Sequence, residues 1–120
     1  KGKEIPLVTS SKTIREAVSE MSKKDLGIVC IKEKNGKINV ISDGDIRRNS
    51  NNLFKKKILQ VSSKNPAWVS DTATAVSAID KMNSLEITSL LVAKNKDIKK
   101  KIKKIVGVLH LHHCLSRGIK

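Results

Sequence analysis

Ser42-Asp43-Gly44-Asp45 follows directly on the apolar run Val40-Ile41 and leads into Ile46-Arg47-Arg48. A strand that turns at once into a helix exposes backbone N–H groups at the corner, and Ser42 and Asp45 set a hydroxyl and a carboxylate beside them. Such a corner offers recognition of a polar ligand. A hydroxyl with N–H donors suits an anion, and a carboxylate suits hydroxyl donors. A related corner, Val108-Leu109-His110-Leu111-His112-His113-Cys114-Leu115, lies near the end of the chain. On an extended strand His110 and His112 face the same way, and imidazoles with a thiolate are chemically reasonable ligands for zinc or nickel. No second ligand cluster accompanies them, so packing and hydrogen bonding explain them more simply and no metal is assigned. Nothing else in the chain forms a P-loop, a supported Ser-His-Asp set or a paired-carboxylate pocket, so no catalytic residue is assigned either.

The elements that must carry these corners occur twice. Ile14, Ala17, Val18 and Met21 form the apolar stripe of an amphipathic helix, and Ala75, Ala78, Ile79 and Met82 repeat it at an offset of 61 residues. The same offset aligns the strand-like run Leu26-Gly27-Ile28-Val29-Cys30-Ile31 with Ile87-Thr88-Ser89-Leu90-Leu91-Val92. At the corners the offset has grown to 68, from Val40 to Val108, which puts seven extra residues in the lysine-rich stretch 94–104. A hairpin tip tolerates such insertion. Short extended segments after Pro6 and Pro66 open the two copies. The expected unit is strand, helix, strand, strand, helix, made twice in a mixed α/β fold. Its boundaries are 1–50, a linker region 51–64 holding one short helix over Leu53, Phe54, Lys57, Ile58 and Val61, and 65–120.

With 120 residues, 38% of them hydrophobic, the chain can bury one core, whereas each half alone would be marginal. The halves are therefore expected to pack together. No apolar stretch reaches the length of a membrane span or a signal-peptide core, so a cytoplasmic protein with no membrane partner is expected. Cys30 and Cys114 lack CxxC spacing and read as reduced packing residues. The chain begins at Lys1, which suggests a piece of a longer protein. Its formal charge is +14, mostly from lysine. Lys55-Lys56-Lys57 and Lys99-Lys100-Lys101 with Lys103 and Lys104 could meet phosphates, but Phe54 and Trp68 are the only aromatics and no nucleic-acid-binding signature is present. Nucleic acid is not an expected partner. The alternative source of the charge is a compositional bias that inflates Lys, Ile and Asn together.

Two units of this kind, the first ending in an apolar strand and a corner, Ser42-Asp43-Gly44-Asp45, that fits a Thr/Ser-x-x-Asp pattern, resemble a tandem pair of CBS domains, a nucleotide-sensing module. More narrowly, Ile5-Pro6-Leu7-Val8, Ser42-Asp43-Gly44-Asp45-Ile46-Arg47-Arg48, Asn65-Pro66, Ile87-Thr88-Ser89-Leu90 and Gly107-Val108-Leu109-His110-Leu111-His112 resemble the regulatory region of bacterial D-arabinose 5-phosphate isomerases. That likeness covers essentially the whole chain.

The resemblance implies a pair of units related by a pseudo-twofold axis. It further implies that Ser42 sits near a nucleotide phosphate and Asp45 accepts from the ribose hydroxyls, with Asp43 in the same corner. Thr9, Ser10, Ile28, Val29 and Ile41 would line the adjoining base pocket. Arg47 and Arg48 would either meet phosphate or stay as solvated helix-face charges. At the second corner His110 stands where a hydroxyl is expected and His113 where a carboxylate is expected, so the ribose clamp is lacking there. With His112, these residues would suit an altered site for phosphate or a sugar acid. The family's aldose-ketose chemistry resides in an upstream sugar-isomerase domain, the implied partner. The implied function is sensing of a nucleotide-type effector, either CMP-Kdo or an adenine nucleotide such as AMP or ATP, with no required cofactor. The rival expectation is a ligand-free module that dimerises through CBS-CBS contacts and holds the isomerase oligomer together.

Overall fold

A computed structural model describes residues 5–24 and 26–111. The chain divides into two compact units, residues 5–66 and 67–111 among those described. In the first, strand β1 (Leu7–Thr9) leads through helix α1 (Ile14–Lys24) to β2 (Ile28–Lys32), which turns back as β3 (Ile38–Ser42) and runs straight into helix α2 (Asp43–Arg48). The sheet order is β1-β2-β3, with β1 parallel to β2 and β3 antiparallel to it.

Helix α1 starts where Thr13 and Glu16 satisfy each other's backbone. The Glu16 N–H donates to Thr13 Oγ1 at 3.1 Å and the Thr13 N–H to Glu16 Oε1 at 2.9 Å, a reciprocal cap on two otherwise unpaired donors. The Thr13 N–H, with the Thr13 hydroxyl that also donates to Glu16 Oε1 at 3.2 Å, holds the Glu16 carboxyl below the usual carboxylate range. The stripe read from the sequence faces inward: Ile14, Ala17 and Met21 are buried and pack with Val29, Ile31 and Ile41 of the sheet and with Leu53, Ile58 and Val61. Strand β2 is buried on both faces, which is why Ile28-Val29-Cys30-Ile31 reads as an unbroken apolar run without alternation.

Two local expectations change. Strand β2 begins at Ile28, because Gly27 has φ 69°, a left-handed conformation that interrupts an extended run. The linker does not form one helix. It forms a 3₁₀ turn at Leu53–Lys55 and a separate helix α3 at Ile58–Val61, with Lys56 and Lys57 extended between them. An isolated antiparallel bridge from Lys57 to Thr13 accompanies that break. Leu53, Ile58 and Val61 still reach the core, whereas Phe54 is exposed with the Arg15 guanidinium 4.4 Å from its ring centroid.

The second unit repeats the order as β4 (Trp68–Ser70), α4 (Ala75–Leu85), β5 (Ser89–Ala93) and β6 (Gly107–His110), in a sheet ordered β4-β5-β6 with the same parallel and antiparallel senses. Thr74 caps α4 by accepting from the Ser77 N–H, and Ala78 and Met82 pack with Val69 and Leu90. The antiparallel pair is joined by residues 94–106 here and by 33–37 in the first unit, so the extra residues do lie in the lysine-rich connection. That connection carries a 3₁₀ turn at Asn95–Asp97, an Asp97–Lys100 ion pair at 2.7 Å and the Lys103 ammonium 5.0 Å from the Trp68 ring centroid. His112, His113, Cys114 and the expected second corner helix lie outside the described residues apart from Leu111. Among the described residues no helix is long and apolar enough to cross a membrane.

Ile41 has no exposed surface and lies in the larger core, so Ile41→Ala should cost about 2–5 kcal/mol in urea unfolding, while Leu7→Ala, at a position 38% exposed, should cost far less. Equal losses at the two sites would contradict this packing. Burial also pushes the Cys30 thiol up to about 12. In a Cys114→Ser background, Cys30 should therefore resist a thiol reagent at pH 8 until the protein is denatured. Rapid labelling of the native protein would contradict the burial.

Candidate ligand-binding site

The β3-to-α2 corner is built around one carboxylate. Ser42 is the extended N-cap of α2, with φ −108° and ψ 169°, and its Oγ accepts from the Asp45 N–H at 3.2 Å. In return Asp45 Oδ2 accepts from the Ser42 N–H at 2.9 Å and from the Ser42 hydroxyl at 3.1 Å. The Ser-x-x-Asp spacing thus forms a capping box. Asp45 Oδ1 accepts from Arg48 Nη2 at 2.7 Å, one helical turn on. The Ser63 hydroxyl then approaches both carboxylate oxygens, 3.1 Å from Oδ1 and 3.2 Å from Oδ2.

Asp45 is 5% exposed, so its negative charge depends on these donors. The backbone donors of the corner are also engaged: the Asp43 N–H donates to the Gly27 carbonyl at 3.1 Å, and that of Asp45 to Ser42. The sequence suggested open N–H groups, but these two are closed by local bonds. Gly44 leaves room for the arrangement. A Cβ at that position would lie 3.0 Å from Arg48 Nη1, in the path the guanidinium takes to Asp45.

Asn49 and Lys56 extend the network. Asn49 Nδ2 donates to the Asp45 carbonyl at 2.8 Å, and Lys56 Nζ donates to Asn49 Oδ1 at 3.2 Å. Ser63 is held in place by the backbone: its N–H donates to the Val40 carbonyl at 2.7 Å, and the Val40 N–H donates to the Ser63 carbonyl at 3.2 Å. Spacing within a repeat gave no sign of Ser63, because it comes from the linker.

The other residues expected at the site do not all converge on this corner. Ser42 pairs with Ile28 at the start of β2, whereas Thr9 pairs with Lys32 at its end, and the Ser10 N–H donates to the Lys32 carbonyl. Four residue steps of strand, about 13 Å, separate the two positions. Thr9 and Ser10 therefore do not adjoin Ser42 and Asp45 within this unit, contrary to the expectation. The cause is register: β1 runs parallel to β2, so its C-terminal end meets the end of β2 remote from the β3-to-α2 corner. Val29 and Ile41, expected to line a pocket, are fully buried in the core beneath α1, while Ile28 pairs directly with Ser42. Asp43 and Arg47 are exposed on α2, and Arg48 is turned back onto Asp45. His110 ends β6 opposite Ser89; His112 and His113 lie outside the described residues. Among the described residues no group of three His, Cys, Asp or Glu side chains could hold a metal ion.

Residues 2–52 match the CBS domain family. Along its whole length the chain is similar to arabinose 5-phosphate isomerase KdsD of Francisella tularensis subsp. tularensis, at 36% identity over 127 aligned positions that take in 100% of this chain and 36% of that enzyme. The chain spans about a third of the length of the curated relatives it matches. Its fold is similar to that of CBSX2 in complex with AMP, with a TM-score of 0.77, 18% identity and coverage of 98% of this chain and 89% of that one. It is also similar to a CBS domain protein from Pyrobaculum aerophilum complexed with AMP, with a TM-score of 0.74, 23% identity and coverage of 88% and 79%.

Removing the shared acceptor should expose its importance to the corner. Asp45→Ala leaves the Ser42 N–H and the Ser63 hydroxyl short of a partner and should destabilise the chain by about 1–3 kcal/mol in chemical denaturation. Arg48 is 68% exposed, so Arg48→Ala should cost less than about 1 kcal/mol. A larger loss for Arg48→Ala than for Asp45→Ala would invert this ranking.

Proposed function

We propose that this chain is the regulatory segment of a D-arabinose 5-phosphate isomerase, a tandem CBS module with repeats over 1–50 and 65–120 and a linker over 51–64. It senses a nucleotide-type effector and passes occupancy to an upstream sugar-isomerase domain. The observation that carries this reading is the similarity to arabinose 5-phosphate isomerase along the entire chain, over a region that is only 36% of that enzyme. The AMP complexes of two proteins with the same fold support a nucleotide as the effector class. A nucleotide-activated sugar acid such as CMP-Kdo joins a ribose to an anionic sugar and would fit a site with a carboxylate on one side and cations on the other; adenine nucleotides are the generic competitor. In this reading Asp45 accepts the ribose hydroxyls and Ser42 sits near the phosphate, with Arg47 and Arg48 available to an anion. The segment itself performs no isomerisation.

One observation favours a second reading. Asp45 is already supplied with donors by Ser42, Arg48 and Ser63, as a purely structural corner would be. A ligand-free module that dimerises and holds the catalytic domains together needs nothing more.

Thermal unfolding separates the two. A nucleotide that binds the folded chain raises its midpoint by mass action, on the order of 10 °C at a hundredfold excess over Kd for a domain of this size. CMP-Kdo, CMP, AMP and ATP should be compared in that assay and by calorimetric titration. Asp45→Asn should weaken the preferred ligand by about 1.5–3 kcal/mol, and His113→Ala much less. No shift with any of the four ligands would favour the ligand-free module. Loss of binding in His113→Ala alone would move the site to the second corner.

A further inference from the structure

We propose that Ser63 is a built-in occupant of the carboxylate that would receive the ribose, and that a nucleotide must exchange with it, loosening the linker from the first unit. This inference rests on the nucleotide reading above and adds the residue through which occupancy reaches the linker.

The geometry is specific. The Ser63 Oγ is nearly equidistant from the two oxygens of Asp45, at 3.1 and 3.2 Å, so it lies near the plane that bisects the carboxylate. Two vicinal hydroxyls meeting a carboxylate side by side would take that position, one donating to each oxygen. The remaining donors come from elsewhere: Arg48 reaches Oδ1, while the Ser42 N–H and hydroxyl reach Oδ2. The Ser42 contacts belong to the cap of α2, and the Arg48 contact neutralises the buried charge. Ser63 is the one donor contributed from outside the β3-to-α2 segment, and its hydroxyl can leave without breaking that cap.

Ser63 is also the point at which the linker is tied to the sheet. Its two backbone bonds to Val40 form an isolated bridge on β3, two residues before Ser42. Residues 64–66 then lead into the second unit. A diol at Asp45 replaces one hydroxyl donor with two, and the linker loses the side-chain bond that supports this short bridge. Carboxylate occupancy is thereby converted into freedom of the segment that joins the units.

Calorimetric titration of the chain with AMP and with CMP tests the exchange. Ser63→Ala removes a bond made only in the free state, so it should bind about three- to tenfold more tightly than the original chain, whereas Ser63→Thr keeps the hydroxyl and should bind as the original does. Because Ser63→Ala could disturb folding, amide hydrogen exchange of the unaltered chain gives a second reading. The Ser63 N–H should exchange severalfold faster when nucleotide saturates the protein. If neither the original chain nor Ser63→Ala binds either nucleotide and none of the four ligands shifts the melting midpoint, the nucleotide reading itself fails, and this inference with it. If the original chain binds but Ser63→Ala binds no better, or the Ser63 N–H does not exchange faster on saturation, the exchange at Asp45 is overturned while the nucleotide reading stands.

Discussion

A single buried carboxylate organises the first unit's functional corner. Asp45 is nearly inaccessible, and a charge so placed is tolerable only when donors surround it. Ser42 provides two of them from the end of β3, Arg48 a third from the last turn of α2, and Ser63 a fourth from the linker. Three residues thus share one acceptor: Ser42, which both ends β3 and caps α2, Arg48 packed over Gly44, and Ser63 of the linker. The six-residue helix α2 is too short to be stable from its own backbone bonds, and the capping box with its ion pair supplies much of what holds it in place.

The two units differ in how much core they bring to this task. In the first, α1, strands β2 and β3 and the linker segments contribute to one cluster around Val29, Ile31 and Ile41. In the second, the buried cluster is smaller, and residues 94–106 add Ile105 together with a lysine packed on Trp68. The high positive charge is concentrated on exposed segments such as Lys55-Lys56-Lys57 and Lys99-Lys100-Lys101, away from the buried cores, which agrees with a surface and compositional origin.

Much of this was legible in the residues because local chemistry and tertiary structure agree. The apolar stripe of α1 pointed inward as its 3.6-residue period requires, as did Ala78, Ile79 and Met82 of α4, whereas Ala75 at the start of α4 is exposed; the run Ile28-Val29-Cys30-Ile31 became the central strand. The offset that grew between Val40 and Val108 located the longer connection. Other features depended on non-local pairing. Thr9 and Ser10 entered as pocket residues through the resemblance alone, and only the register of β1 shows that they lie about 13 Å along β2 from Ser42 within this unit. The linker broke at Lys56 and Lys57, where the chain extends and pairs with Thr13. Ser63 was invisible for the same reason: only the fold carries residue 63 to the side chain of residue 45. The Ser-x-x-Asp motif itself was ambiguous, since one spacing serves both a helix cap and a ligand clamp, and in this structure the cap is what it forms.

The most direct measurement is a crystal structure of the chain with its preferred nucleotide bound. Two ribose oxygens should lie about 3 Å from the Asp45 carboxylate, with the Ser63 hydroxyl withdrawn and the Ser42 cap intact. A bound nucleotide that leaves the Asp45–Ser63 contact unchanged and places its ribose elsewhere would contradict the assignment of this carboxylate as the ligand's acceptor.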